Sequence, residues 1–487
     1  MKESVYLATD IGATGIKLVA AAFDGTRLEV KDSWSVKNGP IVDHGRECAD
    51  IDAMLLAIQK GLQKLEPHYQ CISLGIDTYG NGYGILDASG NLVMKPHHYR
   101  DKRIANIRKE LHKHMTDYQF YQSTGNYPIK TRALLHLFLD ALEASPHITK
   151  GKYLLPLPNL LEYLMTGEHT SEITIASVLC LLDSSGKTWN YPLFRTLGIK
   201  EELFGSLSLP GQKKGVTYKK GISVVTVAGH DTESALLAVP GLDTSKAFIS
   251  MGTSFVFGAR VKAPILTKES FKERYKNMRG AFGTFSLCKD VPGFWILERC
   301  MEQWRTYVPN LDYAMVCHAA QNFRENRTFL NISDDRFRVS ENNILGAIHN
   351  YCIETGQTPV EGIEETSRCL FESYALYIKW SMERLSKITK VSYQSLEAMN
   401  GGVFNQLLLQ MFADATEVPV IARSPWASAM GNLLLQLYAH KEIGSERELG
   451  EVALMSCTPI TYESNHSSYW GECLQYMKDK GLYKEDS

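Results

Sequence analysis

The chain has 487 residues, of which 44% are hydrophobic and 22% charged, and its formal net charge is −2. That length exceeds one ordinary core and predicts two domains or three, while the near-neutral charge excludes the electrostatic footprint of a nucleic-acid or membrane-surface binder. The opening MKESVYLATDIG lacks the apolar stretch of a signal peptide, and no run of about 18 apolar residues occurs, so a cytoplasmic protein is expected, with monomer and homodimer both left open as its assembly.

In chain order, residues 4–10 and 16–23 read as a β-hairpin around a turn at Gly12, Ala13 and Thr14, and 50–64 as an amphipathic helix. CISLGIDTYGNGYGILDASGNLV reads as a strand through Ile76, a Gly-rich turn, a second strand to Leu86 and a hairpin turn. After PHHYRDKR one charged helix is expected over about 103–116, then helices over 132–143 and 157–166, the last closing at Thr166-Gly167. Residues 185–221 read as surface, and a strand over 222–228 leads to Asp231 and a helix over 232–238. Pro240-Gly241 marks the boundary between halves, giving domains at 1–241 and 242–450 and a tail at 451–487.

The second half opens with strands over 246–259 around a turn at Gly252, Thr253 and Ser254, which repeats the plan of the first hairpin. Helices follow over 293–306, 341–355 and 361–387. SLEAMNGGVFNQLLLQMFADAT reads as strand, Gly401-Gly402 turn and helix, and PVIARSPWASAMGNLLLQLYA repeats the theme. The tail yields no reading.

The ten cysteines include no CxxC and read as reduced. His97 and His98 are adjacent, so on a strand they face opposite ways and are not expected to share a metal.

A carboxylate at the mouth of a strand can take a proton from an alcohol, and a Gly/Thr/Ser turn can offer N–H and hydroxyl donors to phosphate. Asp231 is therefore a candidate base, with a helix N-cap as the competing reading. Asp10 either holds Mg²⁺ or caps its turn, and Asp77 either meets substrate hydroxyls or metal or does the same. The Gly401-Gly402 turn would bring a helix N-terminus, and Asn405, toward a nucleotide. Two hairpins able to grip one polyphosphate, with a carboxylate between them in sequence, point to phosphoryl transfer onto a hydroxyl.

GIDTYG, PHHYRDKR, EITIAS, AGHDTESA, DDRF, GGVFNQLLLQMFADATEVPVIA and ASAMGN, in this order, resemble the FGGY carbohydrate kinases, with the greatest likeness to rhamnulokinases. The resemblance spans roughly 4–445 and implies an α/β, two-domain actin/hexokinase-like ATPase (ribonuclease H-like) fold, each domain built on a five-stranded sheet, with an interdomain active-site cleft. It implies ATP and Mg²⁺ as cofactors, Asp10 at the metal, and Gly12, Ala13 and Thr14 as the first phosphate loop. Gly252 and Thr253 would be the second, with Gly401, Gly402 and Asn405 along the adenosine. Asp231 would be the base, and Asp77, Thr78, Gly82, Arg100 and His230 would meet the sugar. The implied reaction is phosphorylation of the C1 hydroxyl of L-rhamnulose or a related ketose. L-fuculose or another sugar, a sugar-sensing regulatory protein, and an actin- or chaperone-like ATPase are the alternatives. The chain departs from the family pattern at Gly82, where a sugar-facing Asp is expected, at Asn159, also expected as Asp, at Ser254 and in RSPWASAMGN.

Overall fold

The computed structural model describes residues 2–99, 101–218, 220–323, 326–339 and 343–483. The chain forms two compact units. The first comprises 1–242, 260–287 and 426–458, and the second 243–259, 288–425 and 459–487. No described helix is long and apolar enough to cross a membrane.

The first unit is built on a six-stranded sheet rather than a five-stranded one. Its central strands are Glu3–Ile11, antiparallel to Gly15–Phe23 and parallel to Tyr69–Thr78, which is in turn parallel to Ser223–Thr226. The additional strands are the edges, Leu28–Lys37 and Gln212–Val216. Both edges are largely exposed and carry the charged side chains that discourage further pairing. Glu3–Ile11 is buried along most of its length because helices cover its faces. On one face the Ile51–Leu65 and Leu157–Thr166 helices contribute Met54, Ile58, Leu62, Leu160 and Leu161 to a core with Val5, Leu7, Leu18, Leu74 and Ile76. Another face meets the helix Ala427–His440, which donates from Gln436 Nε2 to Leu7 O at 3.0 Å.

In the second unit, Lys246–Met251 pairs antiparallel with Ser254–Val261 and parallel with Ser395–Met399, followed outward by Val420–Ala422 and antiparallel Ile460–Tyr462; with Phe285–Pro292 and Lys276–Arg279 on the other side this sheet has seven strands, not the expected five. The helix Gly362–Thr389 runs 28 residues and buries Leu370, Phe371, Tyr374, Leu376 and Ile378.

Several local expectations need correction. The helix expected over 103–116 breaks into a 3₁₀ turn, Lys102–Asn106, and a short helix, Ile107–Leu111. A new helix, Asp117–Thr124, then starts because Thr116 and Gln119 form a capping box. The helix expected from 341 begins at Ile344, where Asn343 accepts from Gly346 N; residues 340–342 lie outside the described residues. The tail contains two helices, Glu446–Ser456 and Tyr469–Asp479.

Candidate active site

Three carboxylates meet where strands of the first unit end. In the parallel pair of central strands Asp10 stands opposite Asp77, and Lys17 stands opposite Asp10 on the antiparallel side. The chain after Ser223–Thr226 stays in step, because Thr78 N donates to Gly229 O at 2.9 Å and Thr78 bridges to His230. Asp10, Asp77, Thr78, His230 and Asp231 are thereby gathered at the carboxyl ends of neighbouring strands, where open α/β sheets bind ligands.

Asp231 is not the helix N-cap. His230 holds that position, and Asp231 is the first residue of the helix Asp231–Leu237, accepting from Thr232 N at 2.5 Å and Thr232 Oγ1 at 3.1 Å. Its side chain keeps 32% of its surface open, and His230 Nε2 lies 3.5 Å from Oδ1. Burial of the carboxyl, then the charge of Asp10, push its pKa up to about 7 against the Thr232 hydrogen bonds. Asp77 is fully buried; burial first, then Asp10, drive its pKa well up, with the Asn432 hydrogen bond opposing. Burial also raises Asp10, opposed by the Lys17 ammonium 4.0 Å away. A carboxylate that titrates near neutrality and keeps an open face suits proton abstraction.

Asp77 is held from behind by residues that sequence reasoning missed. Asn432 Nδ2 donates to Asp77 Oδ2 at 2.7 Å, Gln436 Nε2 to Asn432 Oδ1 at 2.8 Å, and Ser73 Oγ to Gln436 Oε1 at 2.7 Å. The available signal was an Asn and a Gln four residues apart in the otherwise apolar helix NLLLQLYA, which puts both amides on one face. Asp77 Oδ1 is buried and has no hydrogen-bond partner among the described residues. An orphaned carboxylate oxygen beside a second carboxylate fits a cation or a substrate hydroxyl.

Glu172, within EITIAS, fixes the segment before Asp231. Its Oε2 accepts from Gly229 N at 3.0 Å, Thr174 Oγ1 at 2.6 Å and Ile175 N at 3.1 Å. Burial lifts its pKa to about 7 against these donors. Asn159 finishes the clamp, accepting from Glu172 N at 2.8 Å and donating to Glu162 Oε2 at 2.9 Å. An Asp at that position could accept but not donate to Glu162, which accounts for the amide.

Gly82 has φ +102°, and its carbonyl accepts from Leu157 N at 3.1 Å. The backbone here admits glycine and strains any side chain. Restoring the expected carboxylate as Gly82→Asp should cost about 1–3 kcal/mol in denaturant unfolding. An unchanged midpoint and slope would show that the loop relaxes freely. Arg100 lies outside the described residues.

The turn at Gly12, Ala13 and Thr14 follows Glu3–Ile11 directly. It is closed by Gly12 N donating to Gly15 O at 2.8 Å, and it is braced by Asn38, whose Nδ2 donates to Gly12 O at 2.7 Å and whose N donates to Thr14 O at 3.1 Å.

In the second unit Gly252 and Thr253 form the turn between Lys246–Met251 and Ser254–Val261. Their carbonyls accept from Phe294 N at 3.1 Å and Trp295 N at 3.0 Å. Ser254 Oγ donates to Val291 O at 3.3 Å, which commits it to the strand beside it. Gly401 and Gly402 follow the parallel strand Ser395–Met399, and the turn is tied across by Asn400 Nδ2 donating to Ser250 Oγ at 2.9 Å. Asn405 caps the helix Gln406–Thr416, its Oδ1 accepting from Leu408 N at 3.0 Å. The second unit thus brings together both of its expected loops at neighbouring strand ends, with a helix N-terminus beside them.

The model of the FGGY family of carbohydrate kinases, N-terminal domain, matches residues 5–238, and that of its C-terminal domain matches 247–440. A rhamnulokinase of Bacteroides thetaiotaomicron is 30% identical over 98% of this chain and 99% of its own length. One of Enterococcus faecalis is 30% identical over 91% of each. Among solved structures, a ligand-bound xylulose kinase from Lactobacillus acidophilus is similar with a TM-score of 0.78 at 14% identity, covering 98% of both chains. Plasmodium falciparum glycerol kinase with ADP gives 0.79 at 12% identity, over 99% of this chain and 98% of that one.

Proposed function

The chain belongs to the FGGY family of carbohydrate kinases, and from that premise we propose that it transfers the γ-phosphoryl group of ATP to the C1 hydroxyl of L-rhamnulose. ATP-dependent phosphorylation of a sugar is the activity of the family. The choice of ketose rests on the two relatives named rhamnulokinase at 30% identity. The observation that carries the mechanism is Asp231, a half-open carboxylate raised to about 7 beside two further carboxylates.

Asp231 accepts the proton of the sugar hydroxyl as its oxygen attacks phosphorus, and His230 shapes the pocket next to it. Asp77, Thr78, Arg100 and the backbone at Gly82 complete the sugar contacts. Gly12, Ala13, Thr14, Gly252 and Thr253 are the proposed phosphate loops, and Gly401, Gly402 and Asn405 the adenosine contacts. Sugar binding, the first phosphate loop and the base thus fall to 1–241 and the remaining nucleotide contacts to 242–450, with 451–487 outside the catalytic roles. Asp10 would hold Mg²⁺, with the orphaned Asp77 Oδ1 beside it; when bound, the ion neutralises charge on the phosphates. Every remaining contribution is positioning by the chain's own groups.

A second reading, L-fuculose or another ketose, is favoured by one feature. Gly82 offers no side chain where a carboxylate is expected, and its φ of +102° keeps it so. Product analysis separates the two: phosphorus-coupled carbon signals at C1 of rhamnulose are expected, and efficient turnover of fuculose with none of rhamnulose would reverse the assignment.

The base also sets a pH dependence. Because Asp231 must be ionised, kcat/KM should rise with pH through about 7 and level off above it. A profile flat down to the ordinary carboxylate range would contradict the raised pKa.

A further inference from the structure

A second polar constellation in the first unit has no part in this chemistry. His97 comes from PHHYRDKR, Asp140 from the helix Ala133–Leu142 and His147 from the short helix Pro146–Lys150. Their relative exposures are 4%, 0% and 0%. His97 Nε2 lies 3.2 Å from both Asp140 oxygens, and His147 Nδ1 lies 2.8 Å from Oδ2. One ligand atom from each residue can be chosen so that all lie within 4.8 Å of one another. Tetrahedral ligands bonded to zinc at about 2.0–2.1 Å stand roughly 3.3 Å apart; the two His–Asp spacings, 3.2 Å and 2.8 Å, fall below that value, and the two imidazoles close on the ion from within 4.8 Å.

The surroundings supply part of an outer shell, although His147 Nε2 is buried with no hydrogen-bond partner among the described residues. Tyr83 OH donates to Asp140 Oδ2 at 3.1 Å, and the Asp101 carboxylate lies on the far side of His97, its Oδ2 3.8 Å from Nδ1 and beyond direct hydrogen-bond reach. Arg103 is engaged elsewhere, with Nε donating to Asp101 Oδ2 at 2.9 Å and Nη1 to Glu143 Oε2 at 2.8 Å. Its Nη2 lies 3.3 Å from His97 Nδ1 and 3.2 Å from Nε2 and would have to yield the Nε2 lone pair to the ion. The buried carboxylates Asp101 and Asp140 carry two negative charges against the single positive charge of Arg103, so the locality is net negative; Glu143 is exposed to solvent. His136, 3% exposed, stacks on His97 with ring centroids 6.4 Å apart, and neither of its ring nitrogens has a hydrogen-bond partner among the described residues. A water on the metal would serve it.

We propose that His97, Asp140 and His147 bind one structural zinc ion, which fastens the PHHYRDKR segment to the two helices. Two imidazoles with a carboxylate favour zinc over the magnesium of the kinase reaction. The site is independent of the kinase reading, and its test uses no turnover.

Full-length protein isolated from zinc-supplemented cells, desalted to remove loosely bound metal and analysed, should contain about one zinc per chain, and Asp140→Asn or His147→Gln less than about a tenth of that. Protein produced with cobalt instead should show visible d–d absorption without the thiolate charge-transfer band that cysteine ligation gives. Zinc-free wild type lacking cobalt absorption overturns the proposal, as does a metal content unchanged in both variants. Should the variants fail to fold, the wild-type cobalt spectrum decides alone.

Discussion

Asp231→Asn should lower kcat by about 10²–10⁴-fold, the range for removing a positioned general base. The amide keeps the shape of the carboxyl and can still accept from Thr232 N and Oγ1, so the start of the Asp231–Leu237 helix should persist. Removing the charge also relieves repulsion on Asp77 and Asp10, so folding should not suffer. ATP affinity, measured by calorimetry, should change little, because the proposed nucleotide contacts lie elsewhere in the chain. Near-normal turnover in this variant would mean that another group takes the proton.

Gly431→Ala should be the most damaging single methyl group in the first unit. A Cβ on Gly431 would stand 1.8 Å from Ser234 O and 2.6 Å from Ser234 C, a backbone that no rotamer change can move. The helices Ala427–His440 and Asp231–Leu237 must therefore separate, whereas ordinary overpacking is absorbed by side chains. A loss of about 3 kcal/mol or more is expected, at the upper end for overpacking. For a unit of about 300 residues, at about 1.5 °C per kcal/mol, Tm should fall by roughly 5 °C or more. Since Ala427–His440 carries Asn432 and Asp231 begins the other helix, kcat should fall as well. A Tm within about 1 °C of wild type would show that the two helices can slide apart cheaply.

The two hairpins, the amphipathic helix at 51–65 and the order of Asp10, Asp77 and Asp231 were legible because each is written in a short stretch with its own period or turn. That Asp10 and Asp77 would stand opposite one another was not, since register between parallel strands is set by burial along both chains. Leu28–Lys37 escaped reading because an exposed edge strand needs no apolar alternation. The return of 426–458 to the first unit is a long-range contact with no local mark, and with it came Asn432 and Gln436. His97, Asp140 and His147 are likewise separated by stretches that match no metal-ligand spacing, so the adjacent His97-His98 pair drew attention instead.

The most direct test of the kinase account is ADP release from Mg-ATP in the presence of L-rhamnulose, L-fuculose, L-ribulose, D-xylulose, D-ribulose or glycerol, with Asp231→Asn as the control. The account predicts strong stimulation by one ketose, L-rhamnulose, and its loss in the variant. ADP release indifferent to every sugar, or none at all from protein that binds ATP, would contradict it.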